Sequence, residues 1–333
     1  MKKALSILTA GCLAVSLAAC GSTAASSAAS AADSTASSAA ESTAASDTAA
    51  ADGQTYKVGI CQLVQHVALD AATQGFKDAL TEQLGDAVTF EEKNAQGDSN
   101  TCSTIINGFV SDNVDLILAN ATPALQAAQA GTNTIPVLGT SVTEYGVALG
   151  IDDFDGLVGT NISGTSDLAP LDEQAGIIKE LFPDAKTVGL LYCSAEPNSQ
   201  YQVDTVKASL EELGYTCEYY AFSDSNDLAT VCQSAADASD VIYVPTDNTV
   251  ANNTEIVNNI CQPAGVPVVA GEEGIMGGCG VATGKMAAKI LTGESKVEEM
   301  PIEYAPEFTK EYNPTIAEAL GITIPDDYVA YEG

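Results

Sequence analysis

The chain has 333 residues and a formal charge of −33, with 45 Asp and Glu against 12 Lys and no Arg. Phosphate contacts need a basic surface, so this balance excludes nucleic acid as a partner. It also leaves no basic patch to hold the protein on an anionic membrane, and the acidity reads as the solubility of a surface protein.

The chain begins Met1-Lys2-Lys3, followed by an apolar run from Ala4 to Ala19 and then Leu17-Ala18-Ala19-Cys20-Gly21. A basic start, a short apolar stretch and small residues before a cysteine describe a secretion signal, and the run is short for a bilayer span. The Leu-Ala-Ala-Cys order resembles the bacterial lipobox, which predicts cleavage before Cys20 and acylation of its thiol. An ordinary signal with an incidental Cys20 is the competing reading. Residues 21–53 are almost wholly Ser, Ala, Thr and Asp, without an aromatic side chain. Such a segment cannot bury a core and predicts a disordered tether, with an end-to-end reach of roughly 30 Å. The alanines alone would allow a helix, which the many Ser, Thr and Asp oppose.

About 280 residues remain, more than one ordinary core accommodates, so two lobes are expected. After the tether, β-rich runs alternate with amphipathic stretches. Tyr56 to Cys61 reads as a strand, and a helix follows from about Ala68 to Gln83, with Ala72, Phe76, Ala79, Leu80 and Leu84 at helical spacing. Next come strand Val88 to Glu91, helix Ser99 to Ser111, strand Asp115 to Ala119, helix Pro123 to Ala130 and strand Ile135 to Gly139. That order predicts a parallel sheet covered on both faces. It then recurs: Lys57 to Gln62 is echoed by Thr187 to Tyr192, Asp115 to Pro123 by Asp240 to Asp247, and Ile135 to Gly139 by Val266 to Ala270. Two doubly wound, parallel-sheet α/β lobes of like topology, joined by a hinge, follow. The expected division is 54–163 with part of 283–303 for the first lobe, and 164–282 with part of 304–333 for the second. Crossings between lobes are expected near Asn161 to Ser166, Ala282 to Gly284 and Ile302 to Pro306.

Open parallel sheets bind ligands at the carboxyl ends of their strands. The polar loops there offer Gln62, His66, Ala121, Thr122, Ser141, Val142 and Thr143 from the first lobe. The second offers Asn198, Ser199, Thr246, Asp247, Asn248 and Glu272. If the lobes face each other across these edges, the loops line one cleft that closes on a ligand. Asp247 would accept from a ligand ammonium or cap a helix, and the two roles are compatible. Without Arg, a ligand carboxylate must be met by helix-start N–H groups and by the hydroxyls of Thr122, Ser141, Thr143 and Ser199. With no Trp, any stacking surface falls to Tyr or Phe, such as Tyr145, Tyr192 or Tyr201, each of which a lobe core would equally bury.

Other chemistry finds little support. Gly277 to Lys285 fails the phosphate-loop spacing, with Met286 where a hydroxyl belongs, and its glycines read as turn residues at a sheet edge. His66, the chain's one histidine, has no nucleophile motif beside it. Cys12 leaves with the signal. Cys61, Cys102, Cys193, Cys217, Cys232, Cys261 and Cys279 stand singly, without metal-ligand spacing, and read as small buried hydrophobes. A Cys193–Cys217 bridge between neighbouring strands is conceivable. Neither a metal nor a cofactor is expected, and no enzymatic activity.

Several stretches together resemble the type I solute-binding proteins of ABC importers, in the branch that binds tryptophan or tyrosine. They include Val67 to Ala72 with Gly75 to Asp78, Asn94 to Asp98, Val114 to Ala124, Lys179 to Pro183, Tyr243 to Thr249 and Thr283 to Leu291. Similar proteins carry a further strand and turn between the segment like Cys279 to Ala282 and the helix near Thr283; about ten residues are absent here. The resemblance implies a monomeric lipoprotein on the outer face of a bacterial membrane, anchored through Cys20. It would pass a small molecule, best matched by an aromatic amino acid, to the permease subunits. A sensory ectodomain that presents its ligand to a receptor is the second reading, and an α/β enzyme a more distant third.

Overall fold

Residues 54–271, 276–304 and 308–331 are described by a computed structural model of the chain. The signal, Cys20 and the tether lie outside the described residues, as does Glu272.

In chain order the first half contains β1 (Tyr56–Gln62), α1 (Val67–Leu84), β2 (Val88–Asn94), α2 (Ser99–Ser111), β3 (Leu116–Asn120), α3 (Thr122–Gly131), β4 (Val137–Val142), α4 (Tyr145–Leu149) and β5 (Ile162–Ser166). The second half runs α5 (Leu171–Leu181), β6 (Thr187–Cys193), α6 (Pro197–Glu212), β7 (Thr216–Phe222), α7 (Ser225–Ala238), β8 (Val241–Val244), α8 (Asn248–Ala251), α9 (Thr254–Ala264) and β9 (Val268–Ala270). The chain ends with α10 (Met276–Leu291), β10 (Glu303–Tyr304), β11 (Glu311–Tyr312), α11 (Pro314–Leu320) and β12 (Val329–Ala330).

Two main parallel sheets result, ordered β10-β5-β4-β3-β1-β2 and β7-β6-β8-β9, and β11 with β12 forms a third, two-stranded parallel sheet. The repeat seen in the sequence is real: β2-β1-β3-β4 and β7-β6-β8-β9 are the same order. Its halves even share a clamp. Asp115 accepts from the Lys57 N–H at 2.7 Å, and Asp240 from the N–H groups of Lys186 and Thr187 at 2.8 and 2.9 Å. These two backbone donors hold the Asp240 carboxyl below its usual range.

Central strands, covered on both faces, are continuously buried, as in Leu116-Ile-Leu-Ala-Asn120. Edge strand β2 exposes Thr89, Glu92, Lys93 and Asn94, as an outer strand must. In the first sheet the two side-chain rows separate cleanly. Cys61, Ile117 and Ala119 pack under α2 and α3, while Val58, Ile60, Leu116 and Leu118 pack under α1 with α10. Fully buried Phe76 anchors α1, a contribution of about 1.5–3 kcal/mol.

The glycines of residues 277–285 are a correction. They do not turn the chain at a sheet edge; Gly280 and Gly284 lie within α10, on the face that meets α1. A Cβ at Gly280 would stand 2.0 Å from the Ala72 carbonyl oxygen, and one at Gly284 2.6 Å from that of Phe76. Glycine here permits backbone-close helix packing. Ala282 to Gly284 is therefore helix interior, not a crossing, and the chain returns to the first sheet before α10. Residues 162–166 likewise form β5 within the first sheet, and the chain leaves it between Ser166 and Leu171.

All seven cysteines from Cys61 onward are buried thiols. The conceivable Cys193–Cys217 bridge does not exist: Cys217 pairs with Val188, five residues before Cys193, about 16 Å away along the strand and beyond disulfide reach. Among the described residues no helix is long and apolar enough to cross a membrane.

Candidate functional site

The carboxyl ends of β3 and β4 lie side by side, with the Ala121 N–H donating to the Thr140 carbonyl at 3.0 Å. Each strand ends in an uncommon conformation. Ala121 has φ +90° and Ser141 φ +55°, and they are the only buried non-glycine residues with positive φ among those described. Such strain costs of order 1–3 kcal/mol per residue and marks positions where the backbone is aimed at something. After Ala121, α3 begins with Thr122 and Pro123, and no side chain caps its first turn. Uncapped N–H groups at a buried helix start are donors for an anion.

The second lobe meets this edge directly. His66, ahead of α1, lies 3.2 Å through Nε2 from the Asn248 Oδ1, and α4 packs against α6. Asn248 spends its amide on Glu196 at 2.7 Å, which leaves its Oδ1 to accept, so His66 carries its proton on Nε2. Burial pushes the imidazole below its ordinary pKa, opposed by the Asn248 contact and by Glu196 and Asp70. Replacing His66 by Ala is expected to remove this clasp and populate the open arrangement. Ligand affinity should fall about 2- to 10-fold by calorimetry, the worth of one hydrogen bond, with the unfolding transition little changed.

Several residues picked from the sequence are already saturated. Gln62 donates to Val64 O and Asp70 Oδ1 at 2.9 and 2.7 Å and accepts from Thr73 Oγ1 at 2.6 Å. Thr246 is held by Gln202 and Asn198. Asp247 accepts from the N–H groups of Cys193 (2.7 Å) and Val250 (2.9 Å), the latter as the cap of α8. Burial, then the nearby Glu196, raises its pKa to about 7 despite those donors and Ser199. Asp247 therefore holds the second lobe's binding loops in place, and its capping role is the one the geometry displays. Val142 is buried at the end of β4, where its carbonyl accepts from the Asp167 N–H at 3.3 Å.

Other groups are conspicuously unused. Among the described residues six buried polar side-chain atoms lack a hydrogen-bond partner: Asn120 Oδ1, Ser141 Oγ, both Asp167 oxygens, Asn198 Oδ1 and Ser239 Oγ. All but Ser239 stand at the carboxyl-end edge of the two sheets. Asp167 stands outside the strand-end loops the sequence points to; Asn120 opens one of them, and Glu196, which accepts four hydrogen bonds from Asn248 and Thr249, lies within another. Only their place just after a strand hinted at them. Tyr145 and Tyr192 are core residues, bonded through their hydroxyls to Thr165 O and Gln200 Oε1. Tyr201, half-buried on α6, instead lies near Glu144 of the first lobe and Tyr304. No group of three or more His, Cys, Asp or Glu side chains among the described residues is placed to hold a metal.

Paired like-built lobes, clasped across strand ends that present unused polar atoms, define a solute-binding protein of the two-lobed, type I kind. The chain belongs to the ABC transporter substrate binding protein family, whose model matches residues 57–332. It is 35% identical over 260 residues to a tyrosine-binding protein of Clostridioides difficile (strain R20291), across 74% of this chain and 75% of that one. Among solved structures, an ABC domain in complex with L-Trp from Streptococcus pneumoniae is 32% identical with a TM-score of 0.78, covering 82% of this chain and 97% of that one. The ligand-free, open structure of a Clostridium difficile substrate binding protein with adhesive properties is 37% identical, covering 84% and 100%, but its TM-score is 0.62. The protein is a substrate-binding component of ABC import that works outside the cytoplasm, and it is not an enzyme.

Proposed function

We propose that this chain captures an aromatic amino acid between its lobes and delivers it to an ABC permease, as a monomer held at the outer membrane face by a lipid on Cys20. In this reading residues 54–163 with part of 283–303 belong to one lobe and most of 164–282 with part of 304–333 to the other, β5 and α10 going wholly with the first. The observation that carries it is the set of unpartnered buried atoms at the strand ends of both lobes, Asn120, Ser141 and Asp167 on one side and Asn198 on the other. Buried polar atoms are ordinarily bonded, so a cluster of orphans in a clasped interlobe gap fits a polar guest. A ligand carboxylate would lie at the start of α3 with Thr122 and Ser141, and Tyr201 offers a ring for an aromatic side chain. The ligands printed for the two relatives above, tyrosine and tryptophan, support the aromatic class. A guest that binds both lobes favours the closed form by its differential affinity, so lobe angle reports occupancy to the permease.

A thermal-shift screen of the purified protein against the common amino acids tests this. A ligand at 100 times its Kd adds about 2.7 kcal/mol of stability and raises the melting temperature clearly. No response to any aromatic amino acid would overturn the ligand class, and no response to any amino acid would overturn amino-acid capture.

A further inference from the structure

Asp167 directly follows β5, where the chain leaves the first sheet. Only 1% of the residue is exposed, and neither carboxylate oxygen accepts a well-formed hydrogen bond among the described residues. Its N–H ties it to Val142 at the end of β4, which sets it beside Ser141 and Thr143. The Thr143 hydroxyl is near enough to favour the charged form, but burial outweighs it and lifts the carboxyl to about 6. No lysine is paired with it, and the chain has no arginine to offer.

The unused atoms around this edge share one property. Asp167 Oδ1 and Oδ2, Asn198 Oδ1 and Asn120 Oδ1 are pure acceptors, and the Ser141 hydroxyl accepts as readily as it donates. What is missing is a group with several N–H donors and a positive charge. A primary ammonium carries three donors and one charge. Asp247, the residue its loop position suggests for this role, already has a backbone donor on each oxygen.

We propose that Asp167 is the counter-charge for the ligand's amino group, so that the cleft selects amine-bearing small molecules and rejects their des-amino counterparts. This assignment rests on the reading that the interlobe cleft takes an amino acid. A charge buried without a partner is tolerated because the guest supplies the partner. The ammonium lies against Asp167 with Ser141 or Asn198 taking its remaining N–H groups, and the uncapped start of α3 takes the carboxylate.

Calorimetric titration of the purified wild type and Asp167→Asn with tyrosine, tyramine and 3-(4-hydroxyphenyl)propionate tests it. The variant should bind tyrosine and tyramine about 100-fold more weakly, the scale of a buried charge pair that loses one partner, with the propionate changed by less than about threefold. Wild type should prefer tyrosine over the propionate by a similar factor. Ligand-free Asp167→Asn should melt at or above the wild-type temperature at pH 7, because the cost of burying the ionised carboxylate outweighs what the nearby Thr143 hydroxyl returns. Tyrosine binding unchanged in the variant, or a lowered melting point of the ligand-free variant, overturns the proposal. If wild type binds none of the three, the other common amino acids and their des-amino acids are titrated in turn. A non-aromatic amino acid whose binding Asp167→Asn abolishes then upholds the Asp167 assignment while the aromatic reading fails. Wild type that binds no amine-bearing ligand overturns both.

Discussion

The ligand-free protein is expected to lose stability as pH rises from about 4 to about 7, the reverse of ordinary acid denaturation. The cause is two buried carboxyls whose protons are held too tightly in the folded state: Asp167 is raised from 3.8 to about 6, and Asp247 to about 7. Unfolded, both titrate near their ordinary value. Between the two limits the folded chain binds more protons than the unfolded one, so its stability falls with pH. The stabilisation is complete below about 4 and is lost as each folded pKa is passed. For Asp167 alone the difference is about 3 kcal/mol at neutral pH, at 1.36 kcal/mol per pKa unit. Repulsion in a chain of charge −33 adds in the same direction as carboxyls ionise. His66, held below its ordinary 6.5, opposes it weakly, since an imidazole kept neutral costs stability as pH falls. Urea unfolding at pH 4.5 and 7.5 checks this: the wild type should be more stable at the lower pH, and Asp167→Asn should narrow the gap by about 2 kcal/mol. A saturating amine ligand should narrow it too, because the ammonium stabilises the ionised Asp167. A wild type that is equally stable at both pH values would contradict the burial of an ionisable Asp167.

Gly164→Ala should destabilise the fold by about 3 kcal/mol or more, combining overpacking and backbone strain. Gly164 sits in β5 opposite Gly139 of β4, with φ +147°, a conformation L side chains rarely adopt. A Cβ there would lie 2.1 Å from the Gly139 carbonyl oxygen and 2.4 Å from the Tyr145 hydroxyl. The two facing glycines make room for the Tyr145 ring, whose hydroxyl donates to Thr165 at 3.1 Å. Thr165 in turn meets Thr283 of α10 at 2.8 Å, so the substitution pushes apart the point where β4, β5 and α10 join. Gly176→Ala is the matched control. It lies inside α5 with nothing within 4 Å of the added methyl and should stabilise by about 0.5–1 kcal/mol. Equal effects at the two positions in a thermal or urea melt would refute the packing account.

The sheets were largely legible because period and order survive in one dimension. Tyr56 to Cys61, Asp115 to Ala119 and Ile135 to Gly139 became β1, β3 and β4 within three residues at each end, and their echoes became β6, β8 and β9. The glycines of α10 misled, because a glycine that admits a neighbouring backbone looks the same in sequence as one that turns the chain. At the site, strand-end loops pointed to the right edge, yet Asp247 and Gln62 proved to be internally bonded while Asp167 did not. Whether a carboxylate is spent on its own loop depends on which N–H groups the fold brings within 3 Å of it. Sequence carries no record of that.

By itself, then, the chain's pattern determined a pair of parallel α/β lobes and the strand ends at which a guest is met, because burial on two faces dictates apolar strands and leaves polar residues where strands stop. Tertiary structure alone decided that His66 reaches Asn248 across the lobes, that α10 lies backbone-close on α1, and that Asp167 is buried without a cationic partner among the described residues. Those outcomes depend on distances between residues 57 to 208 positions apart, such as Ser141 and Asn198, His66 and Asn248, or Gly280 and Ala72, set by packing and not by neighbours in sequence; about 3 Å separates a satisfied group from an empty one.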